Sequence, residues 1–96
     1  MYIDYFEKQV TITAEQMNDI CEVYEAVCAE LGVQPYENDE DEHGNAIPGK
    51  RNVDWLLRAD LDTRDSVIYN ATCASDAIKE SPAYKRIAPI LDYLTL

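Results

Sequence analysis

From Gln9 to Gly49 the chain contains neither lysine nor arginine. Average usage, about 25 per cent charged residues with roughly half of them basic, would place about five there. Histidine occurs once, at His43, and the three cysteines are widely separated, with no C-x-x-C spacing. A lone imidazole without a nearby thiol argues against a zinc site, and an odd number of scattered cysteines argues against a disulfide framework. No apolar run approaches the ~20 residues of a membrane span. The first residues, with Asp4 and Glu7, lack the basic start of a secretory signal. These absences lead us to expect a cytoplasmic chain without membrane contact. Cys73 has no histidine near it in sequence to form a nucleophile and base pair, and no other catalytic signature is present. The expectation is therefore no enzyme, no cofactor and no metal.

What the chain has is acid. Its 96 residues carry 19 Asp and Glu against 8 Lys and Arg, a formal charge of -11 with a pI near 4.2. Residues 1–49 hold twelve acids and the single base Lys8, whereas residues 50–96 hold seven of each, so the first part carries the whole net charge. Such a field repels phosphates and anionic headgroups, which excludes direct binding of nucleic acid or a membrane surface and favours a basic protein partner. At 47 per cent apolar residues the balance is globular. One domain, 1–96, is expected, with an acidic half 1–49 and a charge-neutral helical half 52–96.

Periodicity predicts a mainly α bundle of about four helical segments. Val10-Thr11-Ile12 reads as the end of a short strand or an extended lead-in. Thr13 and Gln16 have capping-box spacing, and Ile12 and Met17 fill the two positions of a hydrophobic staple, so a helix is expected over 14–31. Met17, Ile20, Cys21, Tyr24, Val27, Cys28 and Leu31 form its apolar stripe, and Gly32 supplies its stop. Residues 33–51, with Pro35, Gly44, Pro48 and Gly49, read as a long acidic loop. Asn52 is placed to cap a second helix containing Val53, Trp55, Leu56, Leu57 and Leu61. Asp62 is placed to cap a third running to about Lys79, with Val67, Ala71, Ala74 and Ile78 inward. Ser81-Pro82 opens a last helix with Tyr84, Ile87, Ala88, Leu91 and Leu94 on one face, which Pro89 should kink or restart.

Two stretches concentrate the carboxylates. On the first helix Glu15, Asp19, Glu22 and Glu30 fall within one arc about 80 degrees wide, with Glu25 at its flank. The loop adds Glu37, Asp39, Glu40, Asp41 and Glu42, with Tyr36 beside them as the tyrosine expected to be exposed. Asp39, Asp41 and Gly44 match the opening rhythm of a calcium loop, but Lys50 stands where an EF-hand requires a bidentate glutamate. A solvated or partner-ordered loop is the better reading. Lys50 and Arg51, with Arg58 and Arg64, form a basic stretch suited to neutralising the acids within the fold. Cys21 and Cys28 belong on the buried stripe.

Carboxylates one helical turn apart imitate a row of phosphates and attract a basic protein groove. The chain is expected to be an acidic inhibitor of a nucleic-acid-handling protein, its partner surface being the nucleic-acid groove of a nuclease or defence complex. In size and acidity, though in no residue motif, it is similar to the DNA mimics among phage anti-CRISPR and anti-restriction proteins. An immunity protein or antitoxin that holds a nuclease toxin, and an acidic interaction module without mimicry, fit the same composition.

Overall fold

The computed structural model describes residues 2–5, 8–54 and 61–95. Strands β1 (Tyr2–Tyr5) and β2 (Lys8–Thr11) pair antiparallel, Tyr2 opposite Thr11 and Tyr5 opposite Lys8. The expected lead-in is thus half of a hairpin. It ends at Thr11, and Ile12 beyond it is buried in the core.

Helix α1 spans Ala14–Leu31 as its signals require. The Gln16 N–H donates to Thr13 Oγ1 at 3.1 Å and the Thr13 N–H donates to Gln16 Oε1 at 2.9 Å, which completes the capping box. At the other end Gly32 adopts φ 70, in the left-handed region. Its N–H donates to the Ala29 carbonyl while that of Val33 donates to the Cys28 carbonyl, the Schellman pattern.

Helices α2 (Leu61–Thr72), α3 (Asp76–Lys79) and α4 (Pro82–Thr95) follow. The single helix expected from Asp62 to about Lys79 is therefore two, and Asp62 lies inside α2. Asn70 Nδ2 donates to the Ser66 carbonyl and Thr72 Oγ1 to the Tyr69 carbonyl, so side chains already compete for the backbone in the last turn of α2. Ser75 then starts α3 afresh, its Oγ accepting from the Ile78 N–H. In α4 Ser81 caps as expected, but the helix neither breaks nor restarts at Pro89. Pro89 and Lys85 are both exposed, so the Lys85 carbonyl left without an N–H donor can be met by water. The backbone is helical at Val53 and Asp54, where a helix capped by Asn52 would begin. Trp55, Leu56, Leu57 and Arg58, with the side chains of Leu61 and Arg64, lie outside the described residues.

Helix α1 packs against both α2 and α4. Its buried arc is accordingly wider than a single stripe: Met17, Ile20, Cys21 and Val23 have no exposed area, and Val23 was missed by the periodicity. Leu31, expected inside, is 66% exposed. Spacing identifies the side of a helix that faces the core but not how far along it the packing extends, and here it ends at Cys28. Val27 of the same helix and Val67, Ile68, Ala71, Ala74, Ile78, Ala83, Ile87, Leu91 and Leu94 complete the core among the described residues. Among the described residues no helix is long and apolar enough to cross a membrane.

Candidate functional site

The acidic stretches are organised by the few bases. Lys8, the only base of residues 1–49, donates from Nζ to the Tyr93 carbonyl at 2.7 Å and lies 5.4 Å from the centre of that ring. It thereby ties β2 to the last turns of α4, where helix carbonyls favour a cation.

Segment 33–51, read from its composition as a loop, contains a short hairpin. Strands β3 (Asp39–Glu40) and β4 (Ala46–Ile47) pair antiparallel around a turn at Asp41–Asn45, with Gly44 at φ 79. Asp41 Oδ1 accepts from the backbone N–H groups of His43 and Asn45 at 2.8 and 2.9 Å. Those backbone donors hold its carboxyl below the usual carboxylate range. The spacing that resembled a calcium loop therefore serves as turn chemistry, an Asp accepting from the residues after it and a glycine at positive φ. Among the described residues no group of three or more His, Cys, Asp or Glu side chains is arranged to hold a metal ion.

The neck of this hairpin is fastened to α1. Tyr24 donates its hydroxyl to the Pro35 carbonyl at 2.6 Å, and the Tyr36 hydroxyl donates to Glu25 Oε2 at 2.7 Å. Arg51 grips the same carboxylate with two nitrogens at 2.6 and 2.8 Å and reaches Asn18 Oδ1 with a third at 2.8 Å. The rings of Tyr24 and Tyr36 meet at 5.8 Å. Tyr36, expected to be exposed, is therefore half-buried, because its hydroxyl has a carboxylate to bond within the fold. Burial, reinforced by Glu25, pushes that hydroxyl upward, and burial likewise pushes Tyr24 up to about 12 and the Cys21 thiol to about 11. Burial would raise Glu25 too, but the hydrogen bonds from Arg51 and Tyr36 outweigh it and hold the carboxyl below its ordinary value.

On the other flank of α1, Arg86 of α4 donates from Nε and Nη2 to the two oxygens of Asp19 at 3.0 and 2.9 Å. That bidentate bond is the main reason the Asp19 carboxyl is held low. Farther along, Ser75 Oγ donates to Glu30 Oε2 at 2.8 Å.

The expected ridge of carboxylates thus divides. Asp19 and Glu25 are structural ties between elements, with side chains only 15% and 29% exposed. Glu15, Glu22 and Glu30 remain exposed on α1, and Glu37, Asp39, Glu40, Asp41 and Glu42 are exposed on the hairpin. Arg51, from the basic stretch after the loop, does neutralise an acid within the fold. Its partner is a carboxylate of α1, a pairing that nothing in the local sequence marks.

Stability should follow these ties. Both carboxyls lie below their ordinary values, 3.8 for Asp19 and 4.5 for Glu25, so what each contributes is complete above that value and is lost as pH falls through the lower folded-state one. Urea midpoints of the wild type and Glu25→Gln are expected to differ most above about pH 5 and to converge in acid. A constant gap at every pH would show that Glu25 contributes shape and not charge.

No protein-family model matches the chain, and neither a curated protein nor a solved structure matches it.

Proposed function

We propose that the chain is a non-enzymatic acidic inhibitor whose exposed carboxylates occupy the basic nucleic-acid groove of a partner protein. The observation that carries this reading is the division of labour among the charges. Lys8, Arg51 and Arg86 are engaged inside the fold, while Glu15, Glu22, Glu37, Asp39, Glu40 and Glu42 face outward and make no ion pair with a described residue. Glu15 and Glu22 stand two turns apart, about 10 Å along α1. The hairpin adds its acids on a turn braced by its own backbone bonds. A fixed negative array draws a basic groove by long-range steering and competes there with a polyanion.

The reading is tested by capturing the partner from the native host and reversing charge where no internal tie is cut. Glu15→Lys with Glu22→Lys, and separately Glu37→Lys, Asp39→Lys and Glu40→Lys together, should fold normally. Each set should weaken partner binding by about tenfold to a hundredfold, lost mainly as association rate where the acids only steer. Binding should fall with salt and should be displaced by nucleic acid. Affinity untouched by both reversals, or a contact indifferent to salt, would refute the proposal. Asp19 is unsuitable for this test, because reversing it also breaks the tie to Arg86.

A further inference from the structure

The acidic hairpin has no anchor of its own. Residues 37–48 are exposed throughout, so no buried side chain beyond the neck holds β3 and β4 in place. Within the neck, Tyr36 and Val53 are only partly buried against the core. Arg51 adds the charged grip, with Nε and Nη2 on Glu25 and Nη1 on Asn18. Those two residues are two turns apart, about 10 Å along α1. Contact at two levels of the helix keeps the neck from pivoting on a single bond.

Glu25 and Asn18 border the exposed acidic strip of α1. At 100 degrees per residue, Glu22 stands about 60 degrees around the helix from Glu25 and about as far from Asp19, with Glu15 in the same interval. Arg51 closes one edge of that strip, and Arg86, on Asp19, closes the other. We propose that Arg51 is a positioning residue for partner binding, which holds the hairpin carboxylates in a fixed place relative to Glu15 and Glu22 so that a basic partner meets both sets at once. The inference rests on the acidic-inhibitor reading and adds geometry to it. Two arrays already held in place bind without the loss of freedom that a swinging arm suffers on association.

The sign of the effect separates position from charge. Arg51→Ala makes a chain of net charge -11 one unit more negative, so charge alone predicts equal or faster association with a basic groove. Positioning predicts the opposite, binding weaker by about tenfold and lost through faster dissociation. Arg51→Lys keeps the charge without the fork, and Tyr36→Phe removes a bond to Glu25 at constant charge, so both should fall between Arg51→Ala and the wild type. Ile87→Val loosens the core but leaves the neck whole, and it should dissociate as the wild type does.

Rates are read on the partner captured from the native host and immobilised. Residual dipolar couplings of the free protein follow the arm itself. Hairpin and α1 amides should share one alignment frame in the wild type, whereas in Arg51→Ala the hairpin couplings should shrink while those of α1 persist. A single frame in Arg51→Ala, or binding as tight as that of the wild type, would overturn the proposal. If reversing the hairpin acids weakens binding while Arg51→Ala does not, positioning is refuted and the acidic reading stands. If neither charge-reversal set affects binding, the acidic reading fails and the binding role of Arg51 falls with it, whatever the couplings show.

Discussion

Ile20→Ala is expected to destabilise the fold by about 2 to 5 kcal/mol, a large part of the roughly 5 to 15 kcal/mol available to a small domain. Ile20 has no exposed area, and the helix that carries it packs against both α2 and α4. Truncation there removes contacts on two sides and leaves a cavity between packed helices that relax only partly to fill it. Ile87→Ala, on the facing surface of α4, should cost a similar amount for the same reason. Leu31→Ala is the control. At 66% exposed it lies past the end of the packing, and its loss should change stability by about half a kcal/mol or less. Chemical denaturation of the three variants checks the ordering, and a cost at Leu31 equal to that at Ile20 would mean that the core extends beyond Cys28.

How much of this was legible in the chain depends on how local each cause is. The bounds of α1 were fully readable, because a capping box, a staple and a glycine stop all lie within a few residues of the ends they define. Ser81-Pro82 announced α4 for the same reason. The break after Thr72 was missed because Ala71, Ala74 and Ile78 keep helical spacing across it. Only the bonds of Ser75 reveal a second start. The hairpin at Asp39–Ile47 was hidden by its own acidity: composition argues for a solvated loop, while Asp41 and Gly44 impose a turn that pairs two residues on each side.

The placement of the carboxylates was legible in part. Exposed carboxylates do concentrate on α1 and on the hairpin, as residue counts and a helical projection imply. Which of them stay outside depends on Arg51 and Arg86, whose partners lie 26 and 67 residues away in sequence. Helical projection describes one cylinder in isolation. The flanks of α1 are covered by elements that bring their own cations, so Asp19 and Glu25, placed by the wheel on or beside the acidic face, became joints between segments.

The joint at Glu25 makes Gly49 the most sensitive position outside the core. A Cβ built on Gly49 would stand 1.9 Å from the Glu37 carbonyl oxygen and 3.2 Å from Tyr36 Cβ. The first obstacle is backbone, which no rotamer change can move aside. Gly49→Ala should therefore force the two arms of the hairpin neck apart, at a cost of about 1 to 3 kcal/mol. The loss cannot exceed the free energy of detaching the neck, because α1, α2 and α4 keep their own core without it. Separation should pull Tyr36 and Arg51 away from Glu25 and uncover Cys21, against which the Tyr36 hydroxyl lies. Cys21 has no exposed area in the native fold, whereas Cys73 is exposed. Native-state thiol labelling should accordingly be fast at Cys73 in both proteins, and slow at Cys21 until Gly49→Ala accelerates it by about tenfold or more through local opening. Arg51→Ala should produce the same signature more weakly, by about 1 to 2 kcal/mol, because a pair still 27% and 29% exposed is partly screened by water. Hydrogen exchange at the Asn45 amide should stay protected in both variants, since its bond to Asp41 lies within the turn. If Gly49→Ala labels Cys21 no faster than the wild type, the neck is not what covers that thiol, and the hairpin is held by its own turn rather than by α1.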